Sequence, residues 1–246
     1  MKLSKRVRKD PAMTKRAIRQ YERELSDILA RAREQLRLTV DVSRRLAAAP
    51  AILDMNNARA KVTIILDNMV LDAMARRATE HVVTVEIMAK TRADQFLEAQ
   101  GIEPSQTNAP ADRLLAEVLV QRNIGALKGL TDDMGKDITR ELTDGISKGE
   151  GVDKLTERVD EVVDIGVDRA RMIARTETMY AFNAVARERY KRAGIEEVEW
   201  LAAINEATCE TCIDLDGKRF KLGSEPECPK HPNCRCTLIP IVEEVA

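Results

Sequence analysis

The chain has 246 residues, 33% of them charged and only 3% aromatic, with a formal net charge of −1. That length allows one large domain or two smaller ones; the balanced charge excludes a uniformly basic nucleic-acid binder, and no stretch approaches the roughly 18 uncharged apolar residues a membrane-spanning helix needs. The balance hides a gradient, because residues 1–45 carry 14 Lys and Arg against six Asp and Glu, whereas residues 193–246 carry five against eleven. In chain order, the basic start from Met1 to Lys9 runs into Asp10-Pro11 and an Arg-rich amphipathic pattern. It lacks the apolar core of a secretory signal, so the chain is expected to be made in a cytoplasm. Asp10-Pro11 reads as an N-cap with Pro at the first helical position. Apolar residues then recur at helical spacing through Met13, Ile18, Tyr21, Leu25, Ile28, Leu29, Ala32, Leu36, Val40 and Leu46. The helix should stop at Ala49, because Pro50 disfavours helix at the residue before it.

A second long helix is predicted after Asn56-Asn57, through Val62, Ile65, Leu66, Met69, Ala73, Val82, Val83, Ile87 and Phe96, with Gly101 as its C′ residue. Two long helices joined by a short Pro-containing turn form an antiparallel helical hairpin, with Ala, Leu and Met in its core. This accounts for the scarcity of rings, since helix packing uses small and aliphatic side chains. His81, in the middle of the second pattern, reads as a polar or packed residue. Residues 101–110 have the composition of a linker. Shorter helices are expected around 111–128, 131–147 and 152–164, followed by a long one from Val167 to Arg192 that ends at Gly194. Beyond it lie a strand at Val198–Leu201, a hairpin over Asp214–Leu222 turning at Asp216-Gly217, and a last strand over Thr237–Val242. Five of the seven aromatic residues fall between 180 and 220, which places the conventional globule in the C-terminal half.

All five cysteines lie in the last 38 residues, an odd number that in a reducing compartment favours metal ligation over disulfides. Cys209-Glu-Thr-Cys212 has the bite of a tight turn that holds tetrahedral zinc. The second pair of ligands must come from Cys228, His231, Cys234 and Cys236; the preferred set is Cys209, Cys212, His231 and Cys236, with Cys234 and Cys228 as alternates. A closed structural zinc is expected, because metal binding gives a loop-rich segment folding free energy that its small core cannot supply. No catalytic residues are assigned. On the 167–192 helix, Glu177 sits in an alanine stripe and needs a partner, because an unpaired buried carboxylate is costly. Arg175 points away from it on the same helix, so both are expected to pair with other segments and to lock the helix to the zinc-bearing β region. Asn183 lies on the neighbouring stripe and is expected to fix register through backbone bonds, with Trp200 in the core.

Ile173-Ala-Arg-Thr-Glu177, Asn183, Tyr190, Gly194, Trp200, Cys209-x2-Cys212, Leu215-Asp-Gly217 and His231-Pro-Asn-Cys-Arg-Cys236 with Pro240 resemble the phage head-morphogenesis family named for the Mu protein F. The resemblance covers about residues 138–241, and its most specific part is the H-P-N-C-R-C string placed after C-x2-C and L-D-G. Cys228 is an addition to the family pattern, which leaves the fourth ligand open. The resemblance implies a minor structural protein of a tailed-phage or prophage head, acting in procapsid assembly through the portal protein. Major capsid or scaffolding protein and packaged double-stranded DNA are further candidate partners. It places the protein in the virion, in the head interior or at the portal vertex. Some relatives carry further C-terminal toxin or enzyme domains, and none is expected after the last strand here.

The expected fold is mainly α with a small C-terminal β region (α+β). Residues 1–100 form a basic arm and a long hairpin, 101–110 a linker, and 111–246 the Mu F-like domain with its zinc-knuckle-like end. Lys5, Arg6, Arg8, Lys9, Arg16 and Arg19 are the candidate DNA contacts, since a cationic arm neutralises phosphates with strongly salt-dependent affinity. The competing readings are a zinc-dependent hydrolase or transferase and a phage-associated DNA-binding accessory.

Overall fold

A computed structural model describes residues 12–46, 52–104, 110–206 and 208–242. The chain is mainly helical, with one small antiparallel sheet near its C-terminus. Its elements in order are α1 (Lys15–Leu46), α2 (Ile52–Ile64), a π-helical segment (Ile65–Leu71), α3 (Asp72–Glu98), α4 (Pro110–Ser147), α5 (Val152–Arg192), β1 (Glu197–Leu201), α6 (Glu210–Leu215), β2 (Arg219–Lys221) and β3 (Thr237–Ile241). They divide into two compact units, one made of residues 1–20, 80–120 and 174–246, the other of 21–79 and 121–173.

Among the described residues of the 21–79/121–173 unit, the regular structure is helical throughout. Tyr21 is its single aromatic residue; fully buried, it donates its hydroxyl to Asn123 Oδ1 at 3.1 Å. Aliphatic side chains fill the rest of the interior, among them Leu25, Leu29, Leu66, Met74, Leu127, Leu130 and Val163. Ion pairs rim it: Arg37 grips Asp160 with two bonds of 3.0 and 2.6 Å, Arg33 pairs with Asp164, and Arg158 reaches both Glu141 and Glu150.

Several expectations are corrected here. Helix α4 runs through Gly129 and α5 runs through the expected break between 164 and 167. An interior glycine costs a helix only about 1 kcal/mol relative to alanine, and the buried Leu127, Leu130, Met134 and Ile138 offset that in α4. In α5, Gly166 is a packing device, since a Cβ there would lie 2.6 Å from Met134 Sδ. Met69, Val83 and Ile87, expected in the core, are half exposed or more. The buried stripe runs instead through Leu66, Val70, Met74, Ala78 and Val82, a repeat of four. A 3.6-residue repeat drifts off that spacing, and the wider i→i+5 turns of Ile65–Leu71 absorb part of the drift. Met13 is exposed at a positive φ of 54° and lies outside α1. Asp10 and Pro11 lie outside the described residues.

The other unit holds six of the seven aromatic residues and the whole sheet. Gly101 and Gly194 end α3 and α5 in the left-handed conformation, at φ of 78° and 73°. The next residue in each case bonds back across the turn, Ile102 N–H to Leu97 O and Ile195 N–H to Tyr190 O. The strand order is β2-β1-β3, with Val198 opposite both Phe220 and Pro240 and Trp200 opposite Leu238. Trp200 is fully buried, and its Nε1 finds no partner among the described residues. Gln100 clamps the end of β3, donating to Pro240 O and accepting from Val242 N–H. Arg189 fixes α5 to Asp94 of α3 through two bonds of 2.6 and 3.0 Å. The expected 214–222 hairpin is corrected, because its first arm is the end of α6 and its second arm, β2, pairs with β1.

His81 is buried in this unit, with Nε2 2.6 Å from Thr178 Oγ1. The Thr178 proton goes to Ala174 O, so the hydroxyl oxygen accepts from a neutral His81 protonated on Nε2. Burial pushes the imidazole down to about 4. The unfolded chain protonates first, near 6.5, so this group's stabilisation is complete above that pH, declines as pH falls and is spent below about 4. Denaturant titrations at pH 7 and 4.5 should show a loss of about 2 kcal/mol in the wild type that H81L does not share. Equal losses would contradict this assignment.

Candidate metal centre

The segment before α6, α6 itself and the 222–236 loop bring the cysteines together. Cys209 precedes α6 in extended conformation and acts as its N-cap, its Sγ accepting from Cys212 N–H at 3.4 Å. The short helix then turns Cys212 back beside Cys209. Asp216, just past α6, accepts Ala202 N–H at 2.9 Å, and Gly217 N–H bonds Trp200 O at 2.8 Å, so the knuckle is tied to β1. Asn233 takes a positive φ of 65°, which asparagine tolerates well. The turn lies between His231 and Cys234, and each of these reaches Cys212 Sγ.

His231 Nε2 lies 3.1 Å from Cys209 Sγ and 3.2 Å from Cys212 Sγ, and Cys212 Sγ lies 3.7 Å from Cys234 Sγ. Two groups result, Cys209–Cys212–His231 and Cys212–Cys234–Cys236, and Cys212 belongs to both. Cys228 stands outside both, buried, with its thiol donated to Cys236 O at 3.2 Å.

The donor set fits a soft cation. His231 Nδ1 lies 2.8 Å from the Pro232 carbonyl, which fixes the proton on Nδ1 and leaves Nε2 as the ligand atom, an arrangement common among metal-binding histidines. Ligands on tetrahedral zinc with Zn–S near 2.3 Å sit about 3.8 Å apart, the separation already present between Cys212 and Cys234. The hydrogen bond from Cys212 N–H lowers Cys209, with His231 adding to it, while burial pushes Cys212 up to about 12. Hydrogen bonding from Cys236 draws Cys234 down to about 5 and holds Cys236 itself protonated. The bond to Pro232 and the neighbouring thiolates raise His231. These thiols cannot all ionise together unless a cation compensates them. The cluster could therefore hold a metal ion.

Helix α5 surrounds the cluster with hydrogen bonds. Asn183, buried, donates Nδ2 to Met179 O at 2.9 Å and to Cys236 O at 3.1 Å. Its Oδ1 accepts from Thr237 Oγ1 at 2.8 Å and from Leu238 N–H at 3.2 Å, so all four bonding positions of the amide are used. Arg175 Nη1 donates to Asn233 Oδ1 at 3.0 Å, and Thr176 Oγ1 accepts from Asn233 N–H. Glu177 is buried on the same helix at 8% exposure. Sequence reasoning missed Asn233 and Asp216 as positioning groups. The asparagine inside H-P-N-C, a residue type that tolerates positive φ, was the available signal. Of the candidate DNA contacts, Arg16 and Arg19 are exposed on α1, and Lys5, Arg6, Arg8 and Lys9 lie outside the described residues.

The fold and site define a helical protein whose last strand and Cys/His-bearing loop are tied to a long helix by hydrogen bonds from Asn183, Arg175 and Thr176. Residues 136–239 match the family described as Phage Mu protein F like protein. An uncharacterized protein of Haemophilus influenzae is 24% identical over 140 residues, covering 55% of this chain and 31% of that protein. The NAD(+)--arginine ADP-ribosyltransferase EFV of Enterococcus faecalis is 26% identical over 133 residues, covering 47% of this chain and 27% of that protein. The chain thus spans less than a third of the length of these relatives. No solved structure matches it.

Proposed function

We propose that this chain is a minor structural protein of a tailed-phage or prophage head, acting in procapsid assembly through the portal protein. Its Cys/His cluster would hold one structural zinc, and its basic N-terminal segment would contact packaged DNA. The observation that carries this reading is the Mu F-like match over 136–239, whose span contains α5, most of the sheet and every cysteine. Zinc would supply no chemistry beyond a cross-link between the α6 knuckle and the 231–236 loop. The chain's own contribution is to orient the donors, through Pro232 on His231 and through Asn183 and Arg175 on the loop.

The reading is non-enzymatic. An enzymatic alternative draws on the name of the Enterococcus relative, but the matched 133 residues are 27% of that protein, so its activity does not come over with the match. Mass spectrometry of purified heads should find this chain, and a tagged copy should co-purify the portal protein of the same phage. Heads containing portal and capsid proteins without this chain would refute the assignment. DNA contact by the arm predicts salt-dependent binding to nonspecific duplex that is lost on deletion of residues 1–19.

A further inference from the structure

We infer that the cleft over the Cys/His cluster binds a phosphate group. The cleft has a volume of about 250 Å³ and is walled by Arg175, Asn205, Thr208, Asn233 and Arg235, with the cluster as its floor. Among the described residues no carboxylate lines it, although residues 193–246 carry eleven acids. The groove beside the π-helical segment, by contrast, includes Asp67 and Asp132 among its cations.

The wall is built, not loose. Thr208 Oγ1 donates to Ala203 O and accepts Asn205 N–H, both at 2.8 Å. Arg175 is held at the rim by its bond to Asn233 Oδ1. That bond orients the Asn233 amide, whose Nδ2 donates to no described residue. Arg235 is exposed and has no ion-pair partner among the described residues. Arg175, Arg235 and Asn233 therefore line a space with no carboxylate among the described residues. One guanidinium fork satisfies a flat carboxylate, whereas several donor groups around one cleft suit a tetrahedral anion with three or four accepting oxygens. The volume admits a phosphate with an attached sugar and falls below that of a drug-sized pocket. The free anion and a nucleic-acid strand are two sources of this one chemistry.

The inference rests on the proposed metal centre only through the folded shape of the loop, so zinc content is measured on the same samples. Isothermal calorimetry of the full chain with inorganic phosphate at low ionic strength should show one saturable site. Affinity should fall about tenfold in R235A and recover in part in R235K. R171A, which lies outside the cleft, should bind as the wild type does. A short single-stranded oligonucleotide that binds more tightly than phosphate, and still depends on Arg235, identifies a nucleic-acid source; equal or weaker binding identifies the free anion. Zinc-replete protein with no saturable phosphate binding, or with R235A equal to wild type, overturns the inference. Arg235-dependent binding in protein that holds no zinc supports it and overturns the metal reading instead.

Discussion

Cys212→Ser should abolish zinc retention and lower the melting temperature of the sheet-bearing unit on the order of 10 °C, because structural zinc contributes several kcal/mol or more of folding free energy. Cys212 is the one sulfur common to both donor groups, so its loss leaves neither group complete. Trp200, the single tryptophan of the chain and fully buried in this unit, provides the optical probe. Cys228→Ser is the matched control. Cys228 is equally buried but donates its thiol to Cys236 O, a bond a serine hydroxyl can also make. It should keep full zinc and shift the transition by only a few degrees. Equal zinc loss in the two variants would contradict the assignment of Cys228 as a non-ligand.

The second large effect is expected at a residue that touches no metal. Asn183→Leu should destabilise the same unit by about 2–6 kcal/mol, read from denaturant midpoints at unchanged slope. The substitution leaves the Thr237 hydroxyl and the Leu238 N–H without their acceptor and takes from the Cys236 carbonyl one of its two donors, the other being the Cys228 thiol. Each buried orphan costs about 1–3 kcal/mol, against a total stability of only about 5–15 kcal/mol. Thr237→Val removes one of these bonds and should cost correspondingly less. A loss below about 1 kcal/mol for Asn183→Leu would mean that the amide does not organise this loop. Asn183→Asp separates the two sides of the amide, since a carboxylate still accepts from Thr237 and Leu238 but cannot donate to Cys236 O.

Features written in single residues were legible in the sequence. Gly101 and Gly194 mark helix ends because only a residue free to take positive φ closes those turns. The seven aromatic residues told where the sheet would form, since six of them lie in the sheet-bearing unit. The cysteine and histidine spacing gave the donor types for the same reason, because a tight turn is a local property.

Features that depend on distant partners were not legible. Gly166 looks like a break until Met134 is placed against it. The π-helical turn at Ile65–Leu71 answers to a packing repeat of four that no local propensity records. Asp216-Gly217 carries a strong hairpin signal. Here Asp216 bonds Ala202 N–H and Gly217 bonds Trp200 O, so the turn serves β1 and α6 instead. Cys228 could not be told from a ligand by spacing, and its place outside both donor groups and its bond to Cys236 O set it apart.

Zinc K-edge X-ray absorption on the purified full chain tests the central claim most directly. A structural zinc predicts one metal per chain with three sulfurs near 2.3 Å and one nitrogen near 2.0 Å, from Cys209, Cys212, His231 and one of Cys234 and Cys236. Protein without zinc, or zinc surrounded by oxygen and nitrogen alone, would contradict it.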